Sequence, residues 1–152
     1  MEVRFLKGLI SAVICFLVLF FDYTPKILAH GNENGHNHHN EKIDLGKESP
    51  VTLSVKAIKD NVDGWNLKTE VSHFKFTPEK AGKDHKTGEG HGRLYVNGRL
   101  IARLYGKWFH LSEKILIKGK NTIIVKLVAN SHESLLVNGK ELKEKIYLNL
   151  SK

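Results

Sequence analysis

Twice in this chain an Asn-Gly pair sits between two short alternating segments. Arg93 to Val96 and Arg99 to Tyr105 flank Asn97-Gly98, and Ser134 to Val137 and Lys140 to Leu150 flank Asn138-Gly139. A two-residue hairpin turn needs positive φ at both central positions, and Asn-Gly meets that demand at the least steric cost. Two such signals commit this half of the chain to antiparallel strands. The first half agrees. Val51-Thr52-Leu53-Ser54-Val55 alternates with period two, as do Trp65, Leu67, Thr69 and Val71. The phase slips before Phe74 and Phe76, which predicts a bulge or bend near Ser72-His73. Ile115-Leu116-Ile117 and Thr122 to Val128 are strand-like, with Lys118 to Asn121 between them. Outside the N-terminal region no stretch has helical periodicity. The expected fold is all-β, an immunoglobulin-like β-sandwich of about seven strands, with both tryptophans in its core.

The N-terminus has another character. Arg4 and Lys7 precede an apolar run from Gly8 to Phe21. A charged start followed by a short hydrophobic stretch is the pattern of a secretory signal peptide. The run is short for a membrane span, which needs roughly 20 apolar residues, so an uncleaved anchor is the lesser alternative. Ala29 offers a small residue for cleavage. Residues 1–29 are therefore expected to be an export signal, and the protein to work outside the cytoplasm, secreted or periplasmic. Cleavage would remove Cys15, the single cysteine, leaving neither a disulfide nor a thiolate metal ligand. It would also remove Arg4, Lys7 and Lys26 against Glu2 and Asp22, taking the net charge from +8 to +7. A basic exported domain is drawn to anionic surfaces. Nucleic acid is not an expected partner, because the lysines are spread along every strand.

Residues 30–50 contain His30, His36, His38 and His39 and few apolar residues. They read as a flexible, His-rich segment, with the folded domain expected over 51–152. Pro78 to Gly92 reads as a loop long enough to suggest a role beyond connection.

The two hairpins echo one another. His91-Gly92-Arg93-Leu94-Tyr95-Val96-Asn97-Gly98-Arg99 matches His132-Glu133-Ser134-Leu135-Leu136-Val137-Asn138-Gly139-Lys140. Each has a histidine six residues before the turn asparagine. Hairpin physics accounts for the leucine and for Asn-Gly, but a strand entrance has no general demand for imidazole. Alternation places His91 with Arg93 and Tyr95, opposite Leu94 and Val96, which predicts a rim position. His110 also lies beside a turn. Three histidines at strand ends suit a metal site, since neutral imidazole is the commonest protein metal ligand. His85 is an additional candidate. So is His30, which after cleavage would offer copper(II) its amine and ring together.

Two linked segments carry a resemblance. Gly88-Glu89-Gly90-His91-Gly92-Arg93-Leu94-Tyr95-Val96-Asn97-Gly98 and Ala102-Arg103-Leu104-Tyr105-Gly106-Lys107-Trp108-Phe109-His110-Leu111 resemble a group of small exported prokaryotic proteins. The pattern extends to Phe74 to Glu79 and Val125 to His132, so it covers roughly residues 65 to 145. The resemblance implies an exported β-sandwich and hints at metal without naming a reaction. In that pattern a second histidine often stands where this chain has Arg93, and an acidic residue where it has Ser131.

The expected function is a histidine-based metal-binding module using His91, His110 and His132. Copper is favoured, with zinc as the alternative ion. The competing expectation is a structural or adhesive module for an anionic cell-surface polymer or membrane surface. No enzyme is expected. The chain has no Gly-x-Ser-x-Gly elbow, phosphate-binding glycine loop or cysteine nucleophile in its expected mature part. Glu89 beside His91 is placed to act as a base at a metal-bound water, but no other catalytic element accompanies it.

Overall fold

The computed structural model describes residues 41–151; the export-signal reading and His30 lie outside the described residues. The described chain is nearly all β, in eleven strands rather than about seven: β1 (Lys42–Asp44), β2 (Thr52–Lys59), β3 (Trp65–Ser72), β4 (Lys75–Phe76), β5 (Glu89–Val96), β6 (Arg99–Leu104), β7 (Trp108–Leu111), β8 (Gly119–Val128), β9 (Ser134–Val137), β10 (Lys140–Glu141) and β11 (Lys143–Leu150). The excess comes from pieces of two to four residues that periodicity cannot resolve.

These strands form two sheets. The large one runs β1-β9-β8-β5-β4, with β10 paired to β9, β11 to β8 and β6 to β5; the small one runs β2-β3-β7. Both Asn-Gly turns form as the hairpin signals require, with φ of 50° and 82° at Asn97 and Gly98 and 51° and 72° at Asn138 and Gly139. The first joins β5 to β6 and the second β9 to β10. The phase slip after β3 resolves as a bend at His73, whose φ is 53°.

Four local expectations change. β1 pairs parallel with β9, and Ile43 and Leu45 pack on a buried cluster around Leu127 and Leu135. Residues 42–45 thus belong to the fold although they lie inside the 30–50 segment expected to be flexible, because a short polar strand can be held by an edge it does not itself announce. Ile115-Leu116-Ile117 is not a strand. Ser112 caps a single 3-10 turn at Glu113–Ile115, and Ile117 is bonded to the buried Asn121 side chain through both its N–H and its C=O. The stretch from Lys140 to Leu150 is two strands, since Leu142 still donates to Leu135 of β9 but accepts from Leu127 of β8, and so passes the chain from one partner to the other. Finally, Trp65 is buried, but Trp108, on the edge strand of the small sheet, is 56 % exposed.

The main core lies between the sheets. Val55, Trp65, Leu67 and Leu111 from the small sheet meet Leu94, Val96, Leu104, Ile123, Val125 and Leu148 from the large one. Leu67 is completely buried at its centre. Leu67→Ala removes three buried carbons where rigid sheets on both sides cannot collapse, so we expect a loss of about 3 kcal/mol. Urea unfolding reads this as a lower midpoint with an unchanged m value.

Candidate functional site

Strand β5 carries His91 through the middle of the large sheet. On one side His91 stands opposite Val128 of β8; on the other, Gly92 stands opposite Leu104 of β6. The flanking glycines make this approach possible. A Cβ at Gly90 would sit 2.1 Å from the Val128 carbonyl oxygen, and one at Gly92 would sit 2.9 Å from the Leu104 Cβ. Both distances are below ordinary contact, so the Gly-His-Gly spacing is a packing requirement of the neighbouring strands.

His132 arrives from the connection between β8 and β9. The Ala129 carbonyl accepts from the His132 N–H and the Ala129 N–H donates to Glu133, which closes a tight turn. His132 takes φ 85° within it, a conformation that costs a non-glycine residue energy and persists only where surrounding structure enforces it. The enforcement is visible next door. Asn130 is buried, bonded through its side chain to Thr77 and through its carbonyl to the Gly82 N–H. This ties the loop after β4 to the turn.

The echoed histidines meet because Val128 pairs with His91 on one edge of β8 and with Ser134 on the other. The two hairpin entrances therefore lie in one row across the sheet. The His91 and His132 ring centroids are 5.3 Å apart at an interplanar angle of 84°, and Tyr105 lies over His91 at 5.5 Å. These rings cover the face on which alternation had put His91 at a rim. The rim expectation fails: His91 is 0 % exposed. Neither of its ring nitrogens has a hydrogen-bond partner among the described residues. Burial drives the imidazole pKa down to about 4, and repulsion from His132, Arg103 and Arg93 adds to the effect. The ring is neutral at pH 7, with a free lone pair on one nitrogen.

The three-histidine cluster does not assemble. His110 lies on β7 in the small sheet, opposite Asn66, because the chain changes sheets between β6 and β7. Its Nδ1 is 3.2 Å from Asn66 Oδ1 and its Nε2 is 3.6 Å from Asp63 Oδ2. His85 lies in the loop before β5, with a buried Nδ1 that makes no hydrogen bond. Among the described residues no three His, Cys, Asp or Glu side chains gather as a metal-holding group. Glu89 is engaged by Lys80 at 2.6 Å and Lys86 at 3.2 Å; the Lys80 hydrogen bond, with help from Lys86, holds its carboxyl below the usual range. Sequence reasoning missed Tyr105 as part of the site. Its signal was the short distance in sequence between β6 and the Gly106 turn, which returns it beside the start of β5.

The chain matches no family model, no curated protein and no solved structure.

The buried imidazole makes a pH prediction for the metal-free protein. Unfolded histidine titrates near 6.5 and folded His91 near 4, so between these values the unfolded chain binds a proton that the folded chain refuses. Stability is complete above the unfolded value and falls as pH drops toward the folded one, by up to about 1.4 kcal/mol per pH unit. His91→Leu removes the two unsatisfied ring nitrogens. It should be at least as stable as the parent at pH 7 and should lack this part of the acid slope. Parallel losses in parent and variant, read from urea midpoints between pH 7 and 4, would contradict the assignment.

Proposed function

We propose that this chain is an exported metal-binding protein that carries copper on His91 and His132. The observation that carries the proposal is His91, a fully buried side chain with two nitrogens that bond to nothing among the described residues. An unsatisfied buried polar group costs roughly 1–3 kcal/mol, and a bound ion would turn that cost into a coordinate bond. The spacing is suitable. With metal–nitrogen bonds of about 2.0 to 2.1 Å and each centroid roughly 1.2 Å behind its nitrogen, one ion spaces two imidazole centroids by about 5 to 6.5 Å. The observed 5.3 Å lies in that window. Export through residues 1–29, an immunoglobulin-like arrangement of the two sheets and kinship with the exported proteins that share the Gly-His pattern belong to this proposal. His30 belongs to it as a separate ligand at the expected new N-terminus.

Metal bound to the folded state alone stabilises it, by about 2.7 kcal/mol at one hundred times the dissociation constant. Copper added to the stripped protein should therefore raise its melting midpoint. The rise should disappear in His91→Leu and in His132→Gln. An equal rise in all three proteins would place the binding elsewhere and end this reading.

A second reading is favoured by one end of the sandwich. Leu100 and Ile117 are more than half exposed there. Arg99, Lys114, Lys118 and Lys120 have no carboxylate partner among the described residues, whereas Glu113 is taken by Lys59. Ile115 and Ile117 line a cleft of about 360 Å³ together with Arg99 and Lys114. Aliphatic side chains ringed by unpaired cations suit an anionic surface. Vesicles containing anionic lipid should bind the protein in a salt-sensitive, chelator-insensitive way, and Lys114→Glu with Lys118→Glu should weaken that binding about tenfold or more; binding unchanged by salt or by these substitutions would discard it.

A further inference from the structure

Independently of both readings above, we propose that the outer face of the large sheet binds a linear acidic polysaccharide, a chain with one carboxylate on each sugar unit.

Strand register is the first ground. Arg103 of β6 stands opposite Arg93 of β5, Arg93 opposite Lys126 of β8, and Lys126 opposite Lys143 of β11. Residues paired in this way share one face of a sheet. That face is the outer one, because the adjacent Leu94, Ala102 and Val125 pack into the core. Four neighbouring strands thus hold four cations in a single row. Arg103 and Lys143, at its two ends, are exposed. Like charges directly opposite one another destabilise a sheet, so the row works against folding until an anion lies along it.

Carboxylate already answers half of that row. Glu141 of β10 reaches Lys126 at 3.3 Å and Lys143 at 2.7 Å. Arg93 and Arg103, the other half, enter no ion pair among the described residues. A guanidinium presents a planar fork that takes a carboxylate through two parallel hydrogen bonds. The open half of the row therefore lacks the group that Glu141 supplies to the closed half, in the geometry that arginine holds best.

Spacing and the flanking row select the polymer. Cations one strand apart repeat at about 4.8 Å, close to the rise of one sugar unit and shorter than that of an extended nucleotide. Beside them runs an apolar row, in which Tyr95 stands between Leu100 and Ile124. It offers a flat bed for the C–H faces of sugar rings. The aromatic faces are less suited to bases. Lys126 lies 5.8 Å from the centre of the Tyr95 ring, and Lys120 sits 4.0 Å over that of Tyr147. Single-stranded nucleic acid is held by stacking on open aromatic rings, and here a cation already occupies a face of each.

The test titrates the full chain with polygalacturonate oligomers, in the presence of a chelator that removes any bridging metal. The same oligomers, methyl-esterified to neutrality, serve as the uncharged control. The acid form should bind, more weakly as salt rises, and the ester should not. Arg93→Gln with Arg103→Gln should lower the affinity at least about tenfold, whereas Lys114→Gln with Lys118→Gln, which removes the same charge elsewhere, should change it by about twofold or less. Equal losses in the two double variants would reduce the attraction to net charge and overturn the proposal, as would equal binding of acid and ester. A single-stranded oligonucleotide or anionic vesicles held through the same two arginines, more tightly than the glycan, would overturn the choice of polymer. Circular dichroism checks the fold of each variant. If the arginine double variant does not fold, Arg103→Gln on the edge strand decides, by a loss of about threefold or more against Lys114→Gln.

Discussion

Strand β8 carries two ladders. Its residues 123–128 pair with β5 on one edge, and residues 119–126 pair with β11 on the other. Ile123, Val125 and Leu127 point from it into the interior and are completely buried. Remove this strand and the large sheet has no centre: β5 keeps only β6 and β4, β11 becomes free, and the core loses Ile123 and Val125. The candidate site depends on the same strand, because Val128 at its end is the residue across which the two hairpin entrances are aligned. Hydrogen-bond registry, set over six residues by β-pairing, is what brings two histidines 41 positions apart in sequence into ring contact.

That alignment creates a liability. A buried imidazole with no partner for either nitrogen works against folding, and the left-handed backbone at His132 adds strain. Neither feature helps the hydrophobic cores, which are complete without them. A fold that retains both an unsatisfied buried donor-acceptor and a strained residue in contact with it has the usual mark of a site where stability yields to function. The surrounding bonds explain how the strain is held. Asn130, Thr77 and the Gly82 amide clamp the turn to the loop after β4, and Gly90 and Gly92 let the strands close around His91.

The charge distribution separates two uses of one small domain. Near the histidine pair, Arg103 and Arg93 add to the burial that keeps the His91 ring neutral. At the end bearing the Asn97-Gly98 turn, Asn97 and Asn121 bond side chain to side chain and Asn97 receives the Thr122 N–H. This pins a rigid tip on which exposed aliphatic and basic side chains are displayed. The net basic charge that the sequence announces is thus an average over surfaces with different chemistry.

Periodicity and turn chemistry are local, so the sequence by itself determined the all-β class, both Asn-Gly hairpins and the inward face of β5 at Leu94 and Val96. It also singled out His91 and His132, whose rings meet in the structure although one lies on β5 and the other in the left-handed turn before β9. Strand partners are not local. That β7 crosses to the small sheet and takes His110 away, that β1 is held by β9, and that Ile115 to Ile117 end in a 3-10 turn all depend on which edges were free to pair. The burial of His91 was decided by tertiary structure alone. Alternation states which side of a strand a residue faces, but not whether that side is open, and here Tyr105 and His132 close it.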